Sequence, residues 1–130
     1  MSMEVRIDAA IAARVVVRPI GKLDAVSCQE FDRALDRVLA QIPRGGTLVI
    51  DLADLEYISS AGLRSLFRAR KAMRTQGGQS LLVHAQPQVR KVFEIVKAVP
   101  VHEVFRSVEE LDAYLAEMQR KVVEGETDDA

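Results

Sequence analysis

Leu48-Val49-Ile50-Asp51-Leu52-Ala53-Asp54-Leu55-Glu56-Tyr57-Ile58-Ser59-Ser60-Ala61-Gly62-Leu63-Arg64 is the stretch on which the reading of this chain turns. Leu48 to Leu52 is a nearly continuous apolar run of strand length, the pattern of a strand covered on both faces in a sheet built with helices. A short loop then leads to a pair of serines. From Leu63 the apolar residues Leu63, Leu66, Phe67 and Met73, with Ala69 and Ala72, recur at helical spacing, and Gly77-Gly78 supplies a stop, so a helix spans about 60–76. A buried strand feeding the start of a helix through a short loop is the unit of an α/β fold.

The same reading extends in both directions. Upstream, Val5, Ile7 and Ala9 alternate with Glu4, Arg6 and Asp8, the period of an edge strand with one wet face. Val15-Val16-Val17 and Ile20 give a second strand, paired with the first as a hairpin, and Pro19 suggests an exposed edge or the strand end. Gly21-Lys22-Leu23-Asp24 breaks that strand. Phe31, Leu35, Val38, Leu39 and Ile42 then mark a helix over about 25–42, ended by Pro43-Arg44-Gly45-Gly46. Downstream, Leu81-Leu82-Val83 reads as a further buried strand, and Pro87 opens an amphipathic helix through Val89, Val92, Phe93 and Val96. Val101 to Phe105 reads as a short last strand. Ser107 and Glu110 form a capping box that opens a final helix through Leu111, Tyr114, Leu115 and Met118. The order is ββαβαβαβα: an α/β domain with a mixed, mostly parallel sheet of about five strands and about four helices.

Length agrees with one such domain. A chain of 130 residues buries roughly 68% of the surface its unfolded form exposes, enough to hold a core without disulfides or a metal. The proportions of 48% hydrophobic and 28% charged residues are those of a globular protein. A net charge of −1 argues against a binder that lives on nucleic-acid phosphates, and 5% aromatic residues without Trp offer few stacking platforms for single strands. The charge is unevenly placed. Residues 124–130 carry four acids and no base, so 1–123 hold +3, and the two segments are expected to be a folded domain and a disordered acidic tail. The lone Cys28, the lack of a signal-peptide pattern and the lack of any apolar run near ~18 residues imply a cytoplasmic protein without membrane insertion.

Chemistry-bearing residues are sparse. The two histidines, His84 and His102, belong to no HExxH, CxxC or GxSxG spacing, so neither a metal nor a catalytic residue nor a cofactor is expected. Cys28, in the first turn of the first helix, reads as a small packed hydrophobe, the alternative being a thiol of depressed pKa. Gly45-Gly46 and Gly77-Gly78 lack the spacing of a phosphate-binding loop. Arg64, Arg68, Arg70, Lys71 and Arg74 make the second helix basic, either as a solvated face or as a surface that steers an acidic partner. Ser59 or Ser60 can cap that helix. Two serines exceed one cap, and a hydroxyl at a helix N-terminus sits where free N–H groups and the dipole would favour an added phosphate.

The segment from Leu48 to Leu52 followed by Tyr57-Ile58-Ser59-Ser60-Ala61-Gly62-Leu63 resembles the signature of STAS domains, in particular bacterial anti-sigma factor antagonists. Gly21-Lys22-Leu23-Asp24 is similar to the Gly-Glu-Leu-Asp after that family's second strand, and the element order matches over about residues 5–120. The resemblance implies a single STAS-like domain over 1–123 that is a binding module and no enzyme. It implies that Ser60 is the phosphorylation site, with Ser59 the competing one, and that Asp24, Ser59, Ser60, Ala61, Gly62, Leu63 and Arg64 meet the partner. Asp24 would then contact the partner or orient the hydroxyl, or else cap the first helix. The chain departs from the family at Ser59, where Asp is usual, and at Lys22, where Glu is usual. The implied partners are an anti-sigma factor, often itself the serine kinase, and a serine phosphatase. Two other readings stay open: a STAS regulatory subunit of a transporter ATPase without a phosphoserine cycle, and a nucleotide-binding protein using helix N-termini.

Overall fold

A computed structural model describes residues 3–11 and 13–125, with the side chains of residues 10 and 11 excepted. Two strands come first, β1 (Glu4–Ile11) and β2 (Arg14–Leu23), then α1 (Cys28–Gln41), β3 (Thr47–Asp51), β4 (Leu55–Ile58), α2 (Ser60–Thr75), β5 (Gln79–Val83), α3 (Pro87–Ala98), α4 (Val101–Val104) and α5 (Val108–Val123). The sheet has five strands in the order β1-β2-β3-β5, with β4 paired to β2. β1 is antiparallel to β2, as the expected hairpin requires, and the ladders β2·β3, β2·β4 and β3·β5 are parallel. The sheet is mixed and mostly parallel.

Hydrophobic alternation builds one well-covered face. Val15 and Val17 of β2 and Leu48 and Ile50 of β3 are buried, and they share a cluster with Phe31 and Leu35 of α1 and Leu66 and Met73 of α2. Val16 and Val49, pointing the other way, are half-buried, so the apolar run of β3 is fully covered on only one side. α1 packs on α2 and α3 on α5.

Several expectations need correction. β2 does not end at Gly21 but runs to Leu23; Gly21 takes φ +102° at a register shift between Gly21 and Lys22, so the glycine makes a bulge inside a continuing strand. Pro19 lies in a strand with a neighbour on each side. It falls between the ladder to β3, which ends at Val17↔Ile50, and the ladder to β4, which starts at Gly21↔Leu55. The segment 55–58, expected as loop, is β4. Val101 to Phe105, expected as a strand, begins with the single helical turn α4, in which the N–H groups of Glu103 and Val104 both donate to the Pro100 carbonyl. The strand count of five survives because these two errors offset, while the helices number five among the described residues. Finally, Leu81 and Leu82 are each 44% exposed, because β5 ends the sheet and, among the described residues, no strand lies beyond it.

Other boundaries follow the local chemistry. α3 starts at Pro87, and α2 is followed by Gly77 at φ +76°. α1 starts at Cys28 rather than near 25 because Asp24 to Ser27 fold into a turn of their own. The capping serine is in place at α5, where Ser107 Oγ accepts the Glu110 N–H at 3.1 Å. Of the tail expected to be disordered over 124–130, the first two residues instead finish α5, the Glu124 N–H donating to the Arg120 carbonyl at 3.0 Å and the Glu124 carboxylate pairing with the Arg120 guanidinium at 2.7 Å. Residues 126–130 lie outside the described residues, and no described helix is long and apolar enough to cross a membrane.

Candidate functional site

Register brings the two motifs together. Leu23 of β2 and Ile58 of β4 are Cα partners in a parallel ladder, so the next residues, Asp24 and Ser59, leave the sheet side by side at its C-terminal edge. That edge is where parallel α/β sheets present their loops. The Ser59 N–H donates to the Leu23 carbonyl at 2.9 Å, which fastens the start of α2 to the end of β2. Gly62 lets α2 sit that close: a Cβ there would stand 2.7 Å from the Leu23 carbonyl oxygen and 2.8 Å from Ile58 Cγ1.

The two serines have different surroundings. Ser59 is 4% exposed and is the N-cap of α2, its Oγ accepting the Gly62 N–H at 3.3 Å. Ser60 is half-buried; its N–H donates to Asp112 Oδ1 at 2.8 Å, while its Oγ is shielded and has no hydrogen-bond partner among the described residues. Ser60 also lines an open groove of about 460 Å³ between α2, α4 and the start of α5. Leu63, Phe67, Val101, Phe105, Val108 and Leu111 make it apolar, and Arg64 and Arg106 add cationic groups.

Asp24 points into its own turn. Its Oδ1 accepts the N–H groups of Val26 and Ser27, each at 3.0 Å, and it does not orient the Ser60 hydroxyl. The Ser27 backbone bond holds the Asp24 carboxyl below its ordinary range, helped by Val26 and the Ser27 hydroxyl against the opposing pull of burial. Asp24 is not the expected cap of α1, whose N-cap is Ser27; its carboxylate closes the turn that precedes the helix. Ala61 is half-buried, Gly62 and Leu63 are buried under the helix start, and Arg64 is exposed.

The acidic group beside the phosphoacceptor candidate is Asp112, which sequence reasoning missed. It lies 52 residues away from Ser60 in the chain, on α5, and no local pattern marks it. Tyr57 reports the same neighbourhood: burial pushes its phenol up, and the carboxylates of Asp112 and Asp24 add to that. Gln119, seven residues beyond Asp112 and so on the same face of α5, exchanges two bonds with the Ile58 backbone. α5 therefore clamps residues 58–60 at two points.

The remaining candidates are accounted for by structure. Arg68 is spent on Asp32 and Asp36 of α1 at 3.0 and 3.1 Å, so the basic face of α2 is in part neutralised by its neighbour. Cys28 is half-buried against the core, and burial, then Asp32 and Asp24, push its thiol up, opposite to a reactive thiolate. His84 Nδ1 stands 3.2 Å from Asp51 Oδ1, and His102 is exposed on α4 rather than on a strand. Among the described residues no cluster of His, Cys, Asp and Glu could hold a metal ion.

Comparison with known proteins fits the fold. Residues 2–111 match the family model described as the STAS domain. Over 90 residues the chain is 34% identical to BtrV of Bordetella bronchiseptica, a protein provisionally named an anti-sigma factor antagonist, covering 68% of this chain and 75% of that one. An anti-sigma factor antagonist from Mycobacterium paratuberculosis superposes with a TM-score of 0.62 at 22% identity, over 90% of this chain and 94% of that one. SpoIIAA, a Bacillus cell-fate determinant solved in its phosphorylated form, gives 0.59 at 18% identity, over 72% and 83%.

Proposed function

Because the chain belongs to the STAS domain family, we propose that it is an anti-sigma factor antagonist, a binding module whose partner surface is switched off by phosphate on Ser60. The BtrV likeness supports the role, and SpoIIAA, with structures in unphosphorylated and phosphorylated forms, supports the switch.

The observation that carries Ser60 over Ser59 is the contrast between their hydroxyls. Ser59 Oγ accepts the Gly62 N–H and is buried, so it must give up that bond before a kinase can reach it. Ser60 Oγ has no bond to lose, so rotation about its Cα–Cβ bond toward the groove it lines gives up nothing but a torsional barrier. In the forward step a serine kinase, carried by the anti-sigma factor itself, moves the γ-phosphoryl of ATP to Ser60 Oγ. The Oγ–P bond forms, the bond to ADP breaks and the hydroxyl proton leaves to a base of the kinase. A phosphatase returns the serine by hydrolysis.

Unmodified, the surface around Ser60, presented by Asp24, Ser60, Ala61 and Arg64 and supported from beneath by the buried Ser59, Gly62 and Leu63, binds the anti-sigma factor and frees the sigma factor. Phosphate adds ~1.5 to 2 negative charges and a strongly hydrated group to a surface that binding must desolvate. A hundredfold loss of affinity corresponds to only ~2.7 kcal/mol. The protein's role is binding rather than catalysis, and it acts in the cytoplasm.

Phosphopeptide mapping of residues 57–64 from native cells, across growth and stress, tests the reading. Condition-dependent phosphate on Ser60, with binding retained in Ser60→Ala and lost in Ser60→Asp, supports it. Phosphate on Ser59 alone moves the site. An unmodified Ser60 together with stable copurification of a transporter ATPase overturns the switch in favour of a constitutive regulatory subunit.

A further inference from the structure

We propose that Asp112 reads the charge on Ser60 and passes it to the first two turns of α5, so that phosphate reshapes the groove as well as altering its charge. The inference rests on Ser60 being the phosphoacceptor.

α5 is tied to the junction of β4 and α2 by two side chains of unlike character. Gln119 is neutral and bonds a strand peptide, whereas Asp112 is a carboxylate bonding the N–H of the very residue that would carry phosphate. The N–H and Oγ of Ser60 belong to one residue, so a phosphoryl group on Oγ brings its charge close to the carboxylate that accepts that N–H, also when Oγ turns toward the groove. Two anions in a partly buried setting repel with little screening. The phosphate is the stronger competitor for the site. Its oxygens can take over the Ser60 N–H at the positive end of α2, and Arg64 and Arg106, both lining the same groove, can pair with it. Asp24 does not take Asp112's place, because its carboxylate is held by the 24–27 turn.

Once displaced, Asp112 no longer seats α5 on α2. Val108 and Leu111 of the loosened turns form part of the groove wall, so its shape changes, while Gln119 keeps the second half of α5 in place. A partner fitted to the unmodified groove is then rejected by shape and by charge together.

The test uses the full chain with phosphoserine installed at position 60 by an expanded genetic code, so it does not depend on any kinase. The readout is amide hydrogen exchange along α5. Phosphoserine is expected to raise exchange at least tenfold over residues 109–115 and to leave 119–123 within twofold. Asp112→Ala, with serine at position 60, should reproduce that loosening. Asp112→Asn keeps an oxygen acceptor and removes the charge, so phosphoserine in that background should raise exchange less than threefold. Should the phosphorylated chain fold poorly, Ser60→Glu in the same two backgrounds gives the same pattern at smaller amplitude. Unchanged exchange over 109–115, equal loosening with and without the Asp112 charge, or loosening that extends through 119–123 would each overturn the proposal. If instead the coupling is present but native cells never phosphorylate Ser60, the switch fails and the Asp112 relay stands.

Discussion

Gln119 and Ile58 exchange two hydrogen bonds: Gln119 Oε1 accepts the Ile58 N–H at 2.9 Å and its Nε2 donates to the Ile58 carbonyl at 2.8 Å. The side-chain amide thereby does for the end of β4 what a neighbouring strand does elsewhere in the sheet. Both partners are buried, so neither backbone group can turn to water. Gln119→Leu, close in volume, leaves a buried donor and a buried acceptor unpaired, each costing about 1–3 kcal/mol. Urea denaturation should show a loss of about 2–4 kcal/mol. A loss below the cost of one orphaned group would mean that the clamp contributes little.

Gly62 predicts a second loss, against the grain of helix propensity. It lies in the first turn of α2, where Ala would ordinarily be the better residue. Its added methyl would meet the Leu23 carbonyl oxygen, Ile58 Cγ1 and Leu23 Cγ, all within 2.9 Å. Gly62→Ala should therefore lower stability by about 1–3 kcal/mol, the usual range for overpacking. A neutral or stabilising result in a thermal melt would mean that α2 can shift away from β2 at no cost.

The places where the sequence was legible and where it was not divide by range. Periodicity exposes β2, α1, α2, α3 and α5, because each is long enough for its pattern to repeat. It fails at Leu55–Ile58 and at Val101–Val104, each only four residues, too short to tell one period from another. There the outcome is decided by partners elsewhere in the fold: the ladder to β2 for the first and the Pro100 carbonyl for the second. Leu81 and Leu82 look like core because composition cannot say that β5 ends the sheet. The serine pair and Asp24 are marked as candidates by their own sequence neighbourhoods, whereas Asp112 and Gln119 approach from α5 and have no local signature.

The serine pair gives a prediction that separates capping from modification. Ser59→Ala removes the N-cap bond to Gly62 and should cost about 1 kcal/mol. Ser60→Ala removes a shielded hydroxyl that has no partner, so stability should be unchanged or slightly raised. Parallel urea titrations of the two variants check this. Equal losses at both positions would mean that Ser60 Oγ is bonded in solution and would weaken the case for its freedom to rotate toward a kinase.

Asp51 sets the expected response to acid. It is a buried carboxylate at the end of β3, with Arg18 Nη2 at 2.9 Å from one oxygen, and the Ala53 N–H and His84 Nδ1 at 3.0 and 3.2 Å from the other. Burial pushes its carboxyl up, but the hydrogen bonds from Ala53, His84 and Arg18 outweigh this and hold it below its ordinary value of 3.8. A carboxyl whose pKa is lower folded than unfolded binds its proton more readily in the unfolded chain. Its contribution is thus complete above the unfolded value and is lost as pH falls through 3.8 toward the lower folded value. Asp51→Asn keeps the shape and removes the charge, so at pH 7 it should cost about 1–3 kcal/mol. Urea titrations of both proteins between pH 7 and pH 2.5 should show the gap constant above about pH 5 and closing below about pH 4. A gap that stays constant to the lowest pH would mean that Asp51 is not held in its charged form by these partners.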